Sequence, residues 1–361
     1  MFSADDHRYM ARALELARRG LHTACPNPRV GCVIVREGRV VGEGWHERAG
    51  AAHAEVGALA QAGARARGAS AYVSLEPCAH HGRTAPCVDA LGSAGIKRVI
   101  AAMRDPNPLV SGKGIARLEQ QSIAVETGLL EDEARELNIG FVSRMTRGRP
   151  WVRVKLAASL DGKTALANGQ SRWITGETAR RDGHQWRARS CAVLTGIGTV
   201  RDDDPLLTVR EVATTRQPLR VVVDSRLEIP LDARILDGGA VLVAAAHEDR
   251  GKIAALRAKG AEVIVMPNRA GKVELRGLFE ELGRREINEV HVEAGYKLNG
   301  SLLGEALVDE LVLYLAPHVI GDTARGMFHL PELTDLAGRR QLQIRDLRMV
   351  GADIRVLARF A

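Results

Sequence analysis

Six near-continuous Val, Leu and Ile runs dominate the second half of the chain: CAVLTGIG, LRVVVDS, AVLVAAA, AEVIVMP, NEVHVEAG and ELVLYLAP. Strands read this way when helices cover both faces of their sheet, because both sets of alternating side chains are then hidden. Helical stretches separate most of these runs, so the pattern predicts an α/β architecture with a parallel sheet. A further strand, WVRVKLAAS, opens this half. The first half alternates in shorter pieces. DHRYMARALELARRG has helical apolar spacing, and GCVIVREGRVVGEGWH reads as two β-branched runs hinged at Glu37-Gly38. HAEVGALAQAGARARG, VDALGSAG, ARLEQQ and ELNIGFVSRM read as helices, and AYVSLE, RVIAAM and IAVETG as strands.

A chain of 361 residues has room for two cores at the usual ~100 to 200 residues per domain. The basic, breaker-rich RMTRGRP marks the join, so domains of 1–146 and 147–361 are expected. DPNPLVSGKG is rich in turn formers, yet helix and strand patterns follow it, which keeps it inside the first domain.

No stretch approaches the ~18 apolar residues of a membrane span. The opening MFSADDHRYM lacks the apolar core of a secretion signal, so a soluble, cytoplasmic protein is expected. The net charge of +7 points to anionic partners, but no basic block of five or six residues occurs, and aromatic content is only 4%. Few stacking platforms for single strands tilt the reading to a small phosphate-bearing ligand over nucleic acid. Five scattered cysteines are too few for a disulfide scaffold and invite metal binding, reactivity or packing.

LEPCAHHGRTAPC places Cys78 and Cys87 nine positions apart, downstream of His53-Ala54-Glu55. Zinc deaminases combine an H-x-E element with a later P-C and a second Cys; His and both Cys ligate, and Glu carries protons. The spacing from Cys78 to Cys87 is longer than the short P-C-x-x-C form. Placement favours the site. Cys87 immediately precedes a helical stretch, where free N–H groups stabilise a thiolate. His53 and Glu55 can serve one centre only at a helix entry, since mid-helix residues two apart diverge. Packed thiols, or a four-ligand structural zinc site using His80 or His81, are the competing readings. Cys25, Cys32 and Cys191 are expected as packed thiols.

ACPNPRVGCVIV, AAHAEVGAL, SLEPCAHHGRTAPC and AAMRDPNPLVSGKG together resemble the bifunctional riboflavin-biosynthesis deaminase/reductase family. The likeness continues through KLAASLDGKTA, SRWITG, DDDPLLTVR, VVVDSR and VEAGYKLNGSLL, nearly the whole chain. It implies a cytidine-deaminase-like three-layer α/β/α domain followed by a dihydrofolate-reductase-like α/β domain. The implied reactions are zinc-dependent deamination of 2,5-diamino-6-(ribosylamino)-pyrimidinone 5′-phosphate, then NADPH reduction of the ribosyl chain to ribityl. Zinc would fall to His53, Cys78 and Cys87, proton transfer to Glu55, and the deaminase pocket to Asn27, His80 and Arg83. A homo-oligomer is implied by the same likeness. A nucleic-acid-acting zinc deaminase with an accessory binding domain is the alternative.

The second half contains no complete G-x-G-x-x-G; GIGTVR offers two glycines and stops. NEVHVEAG runs into Gly295 and Gly300 before a helical stretch, where phosphate can approach backbone N–H groups, although a plain strand-to-helix turn looks the same. The resemblance implies NADPH against Ala157, Trp173, Thr199, Asp203, Ser225, Gly295, Tyr296, Lys297, Leu298, Asn299, Gly300 and Ser301. Tyr296 and Lys297 stand where a tighter, Pro-containing turn is expected. It places substrate against Ser171, Arg187, Leu207, Arg210 and Glu293, with the two arginines suited to a phosphate. Asp203 is the first candidate for proton donor in the reduction.

Overall fold

A computed structural model of the chain describes residues 1–79, 86–108 and 110–360. It divides into two compact units, Met1–Gly148 and Arg149–Ala361.

The first unit is built on strands β1 (Gly31–Arg36), β2 (Arg39–Trp45), β3 (Ser70–Val73), β4 (Arg98–Ala101) and β5 (Ala124–Thr127), in the order β2-β1-β3-β4-β5. Strand β1 is antiparallel to β2 and β3, whereas β3, β4 and β5 are parallel. The hairpin turns at Glu37 and Gly38, both at positive φ, the backbone its two-residue turn requires. Helices α1 (Ala4–Arg18), α2 (Ala54–Ala62), α3 (Cys87–Ser93), α4 (Lys113–Gln120), α5 (Glu131–Leu137) and α6 (Ile139–Arg147) cover the sheet. Met10, Leu14, Leu137 and Phe141 of α1, α5 and α6 pack with Val33, Val35 and Tyr72. Ala58, Leu91 and Leu118 of α2, α3 and α4 pack with Ile34, Ala71 and Val99. Strand alternation sends the two sets to opposite faces, which makes three layers.

ELNIGFVSRM is not one helix: it breaks at Asn138, between α5 and α6. The Asn138 side chain accepts from Arg29 N–H (2.8 Å) and donates to Arg29 C=O (2.9 Å), a buried pairing that takes the place of helix continuation. Helix α2 lies directly on β2. A Cβ on Gly44 would stand 2.2 Å from the Ala54 carbonyl oxygen and 2.6 Å from Ala58 N. The missing side chain therefore fixes where α2 begins.

The second unit carries a nine-stranded sheet, and its strands are β6 (Trp151–Ser159), β8 (Ala192–Gly196), β9 (Leu219–Val223), β10 (Val241–Ala245), β11 (Ala261–Val265), β12 (Glu289–Val292), β13 (Glu310–Ala316), β15 (Leu342–Val350) and β16 (Asp353–Phe360). A short pair, β7 (Lys163–Ala165) and β14 (Arg325–Gly326), stands apart. The order is β11-β10-β9-β8-β12-β6-β13-β16-β15, with every pair from β11 to β13 parallel. All six apolar runs and WVRVKLAAS form these parallel strands. The antiparallel hairpin β15–β16 has no such run in β15, because that edge strand is largely exposed.

Helices α7 (Glu177–Arg189), α8 (Ile197–Asp203), α9 (Arg250–Ala258), α10 (Leu275–Arg284) and α11 (Tyr296–Gly304) lie on both faces. Phe279 and Leu302 of α10 and α11 pack on Val154 and Val292, while Ile253 and Leu256 of α9 pack with Val222 and Val243. From β8 the chain steps outward through β9, β10 and β11, then returns to insert β12 between β8 and β6. The carboxyl ends of β8 and β12 thus meet at a reversal of strand order, where open α/β sheets bind ligands.

Candidate functional site

His53 is the N-cap of α2, with extended backbone (φ −72°, ψ 159°), and Glu55 lies in the first turn. Cys87 is the first residue of α3. The two helix entries and the segment after β3 bring His53, Cys78 and Cys87 together, with one ligand atom from each within 4.8 Å of the others. His53 Nδ1 is 3.1 Å from Cys87 Sγ and 3.6 Å from Cys78 Sγ, and Cys87 N–H donates to Cys78 Sγ at 3.4 Å. Cys78 is pushed down to about 4, first by its bond with Cys87, and Cys87 is pushed up by the same bond. A soft, tetrahedral cation with nitrogen and thiolate ligands fits such a donor set, and zinc is that cation.

Glu55 is buried beside the cluster, and burial raises its pKa above the ordinary carboxylate value. His46, which motif reading misses, links Asn27 to the same place. His46 Nδ1 lies 3.1 Å from the Ala52 carbonyl and Nε2 lies 3.0 Å from Asn27 Nδ2, and the His46 ring stands edge-on to His53. Because a carbonyl only accepts, Nδ1 carries the proton, Nε2 accepts from Asn27, and Asn27 Oδ1 is left as an acceptor. His80 and Arg83 lie outside the described residues. Of the three expected packed thiols, Cys32 is buried and free, whereas Cys25 and Cys191 are not free thiols.

SGKG looks like a phosphate loop, but an internal carboxylate fills it. Buried Glu76 accepts from the N–H groups of Asp105 (3.1 Å), Gly112 (3.0 Å), Gly114 (2.9 Å) and Ile115 (3.3 Å). This fastens the entry of α4 to the residue pair preceding Cys78.

In the second unit, Arg187 of α7 forms a forked ion pair with Glu293 just past β12, Nη2 to Oε2 at 3.0 Å and Nε to Oε1. Arg187 Nη1 also donates to Thr208 O at 3.1 Å, between Leu207 and Arg210, and Arg210 N–H donates to His184 Nδ1. Four of the five expected substrate residues therefore gather around α7. Ser171 lines a shallow pocket with Arg172, Trp173 and His318. Trp173 is exposed, with the Arg180 guanidinium 4.5 Å over its ring, and Arg172 Nε donates to Asp203 Oδ1 at 3.1 Å.

Gly295 caps α11, and a Cβ there would meet only Thr199 Oγ1, at 3.9 Å. Gly196, the N-cap of α8, faces Leu298. Expected cofactor residues on α8 and α11 thus share the switch point. Ala157 pairs with Tyr314 on β13, and Ser225 Oγ accepts from Val273 N–H at 3.2 Å. Gly300 serves close packing, since a Cβ there would stand 2.0 Å from the His329 carbonyl oxygen. Tyr296 opens α11 with its ring edge-on to His329, and Asn299 is buried, donating to Ala294 O at 2.9 Å. Lys155, also missed, sits on β6 with Nζ 4.0 Å from Glu293 Oε2, and burial lowers its pKa. Nothing in KLAAS marks it, because only the strand register brings it beside Glu293.

Residues 3–103 match the model of the cytidine and deoxycytidylate deaminase zinc-binding region, and residues 150–356 that of the RibD C-terminal domain. The chain is 48% identical to the riboflavin biosynthesis protein RibD of Escherichia coli, over 97% of this chain and 98% of that one. It is 47% identical to the Haemophilus influenzae protein of the same name, over 98% and 97%. Among solved structures, Acinetobacter baumannii RibD superposes with a TM-score of 0.93 at 43% identity, over 99% of both chains. A Thermotoga maritima diaminohydroxyphosphoribosylaminopyrimidine deaminase/5-amino-6-(5-phosphoribosylamino)uracil reductase superposes at 0.87 and 32% identity, again over 99% of both. With both halves matched in order and the full length covered, this chain belongs to the RibD family of riboflavin-biosynthesis proteins.

Proposed function

We propose that the chain performs two successive reactions of riboflavin synthesis. Residues 1–146 hydrolyse an amino group from 2,5-diamino-6-(ribosylamino)-4(3H)-pyrimidinone 5′-phosphate. Residues 147–361 then reduce the ribosyl side chain with NADPH, giving 5-amino-6-(ribitylamino)uracil 5′-phosphate. The observation that carries the reading is the convergence of His53, Cys78 and Cys87 beside buried Glu55. A nucleic-acid-acting deaminase is not favoured, since the second half matches a reductase domain and not a binding module.

His53, Cys78 and Cys87 would hold the zinc. Zinc with three protein ligands brings the pKa of a water molecule from 15.7 down to about 7. Glu55, its pKa raised by burial, takes one proton from the water and passes it to the ring nitrogen, then carries the second, from the attacking oxygen, to the amine, which leaves as ammonia. Asn27 Oδ1 accepts from the pyrimidine's N–H groups, with His80 and Arg83 completing the pocket by family likeness.

NADPH, when bound, would be the hydride source for C1′ of the opened sugar. The residues that would hold it are Ala157, Trp173, Thr199, Asp203, Ser225 and the segment 295–301, where open backbone at Gly295 heads a helix. Arg187 and Arg210 take the substrate phosphate, Glu293 takes sugar hydroxyls, and Ser171 and Leu207 flank them. Lys155 is better placed than Asp203 to deliver the proton: it is a half-buried ammonium with a lowered pKa beside Glu293, whereas Asp203 is engaged by Arg172.

Incubating the full chain with the diaminopyrimidine phosphate, with and without NADPH, and identifying products by mass tests both halves. Deaminated ribosyl compound without NADPH and ribityl compound with it are expected; recovery of unchanged substrate in both arms overturns the reading. The enzyme acts in the cytoplasm and as a homo-oligomer on this proposal. Leu342, Ile344, Leu347 and Met349 support the assembly, forming an exposed apolar row along edge strand β15.

A further inference from the structure

His291 of β12 is fully buried, and neither ring nitrogen has a hydrogen-bond partner among the described residues. Buried polar atoms are almost always paired, so two orphan nitrogens on one ring mark a group whose partner arrives in another state. Its Nε2 lies 3.5 Å from Glu293 Oε1, too long and too poorly placed to count as a formed bond. Glu293 follows β12 directly and its N–H still bonds Leu194 O, so two residues apart along this extended backbone the two side chains share a face of the sheet. Burial holds the ring's pKa down to about 3, so it is neutral and carries one N–H.

Both oxygens of Glu293 are occupied by the Arg187 fork, and Lys155 Nζ stands 4.0 Å from Oε2. A phosphate competes for the same planar fork, because a guanidinium presents paired donors that suit carboxylate and phosphate alike. Once the fork turns to phosphate, Oε1 loses its donor in a largely shielded place, a costly state unless another donor replaces it.

We infer that His291 is a positioning residue of the reductase half: its Nε2–H takes over Glu293 Oε1 when a phosphorylated ligand draws Arg187 away. Glu293 then keeps its place for the sugar. The inference rests on the reading in which Arg187 and Glu293 contact the reductase substrate.

The test measures kcat and KM for reduction by the full chain, using the deaminated ribosylamino pyrimidine with and without its 5′-phosphate. His291→Phe removes the donor, and kcat/KM for the phosphorylated substrate should fall about 10- to 100-fold, the usual span for a hydrogen bond to a charged group. The dephosphorylated substrate leaves Arg187 on Glu293, so wild type and variant should reduce it equally. His291→Gln keeps an N–H and should restore most of the loss. Thermal stability should not drop in His291→Phe, since no bond is broken in the free protein, and ammonia release by the other half should persist as a check of folding. Should the Phe variant not fold, His291→Met serves as the donor-less form. An unchanged kcat/KM, an equal loss on both substrates, or a Gln variant as impaired as Phe overturns the inference. Arg187→Met and Glu293→Gln separate the two levels: if neither affects reduction, the underlying assignment has failed; if both do while His291→Phe does not, only the role of His291 has.

Discussion

Glu55 illustrates how much one position can carry. Its carboxyl is buried among an imidazole and two sulfurs, and burial raises its proton affinity above that of an ordinary carboxylate. Glu55→Ala should lower ammonia release about 10²- to 10⁴-fold, the usual contribution of positioned acid–base catalysis. Zinc content, measured by atomic absorption, and NADPH oxidation should stay at wild-type levels. Arg187 is tested differently. Lysine keeps its charge but cannot fork, so Arg187→Lys should raise the KM of the phosphorylated reductase substrate about 10-fold or more in steady-state assays. Cys78 and Cys87 were readable as a pair from type and context; His46 and Lys155 were not, because their neighbours come from strand register and not from spacing.

At the scale of elements, the glycine seam between β2 and α2 places the deaminase chemistry. A Cβ at Gly44 collides with backbone of α2, so Gly44→Ala should push the helix entry, and with it His53 and Glu55, off the sheet. A loss of about 1 to 3 kcal/mol, read by denaturant unfolding, is expected for such overpacking, with ammonia release falling and NADPH oxidation retained. The β1–β2 hairpin, α1 and the parallel strands could be read from periodicity and turn chemistry, since each is dictated by neighbours within a few residues. The break at Asn138 could not, for its cause is the backbone of Arg29, more than a hundred positions away in sequence. The Glu76 carboxylate in the SGKG turn is the same kind of case: a local signature of anion binding, satisfied by an anion already in the chain.

The molecule as a whole is two compact units with separate chemistries, so agents aimed at one should spare the other. Dialysis against a zinc chelator should abolish ammonia release and leave reduction of the deaminated substrate intact; restored zinc should recover the first activity. Leu347→Lys on the exposed row of β15 should shift the chain to a smaller species by light scattering. Sequence alone determined the α/β class, the two-part division, the family and the types of residue able to hold a metal, because hydrophobic period, breakers and ligand chemistry are written locally. Tertiary structure decided which side chains meet: the strand reversal that joins β8 to β12, the pairing of Glu293 with Arg187 and Lys155, and the unsatisfied ring of His291. These depend on sheet order and register, which arise from the packing of segments far apart along the chain.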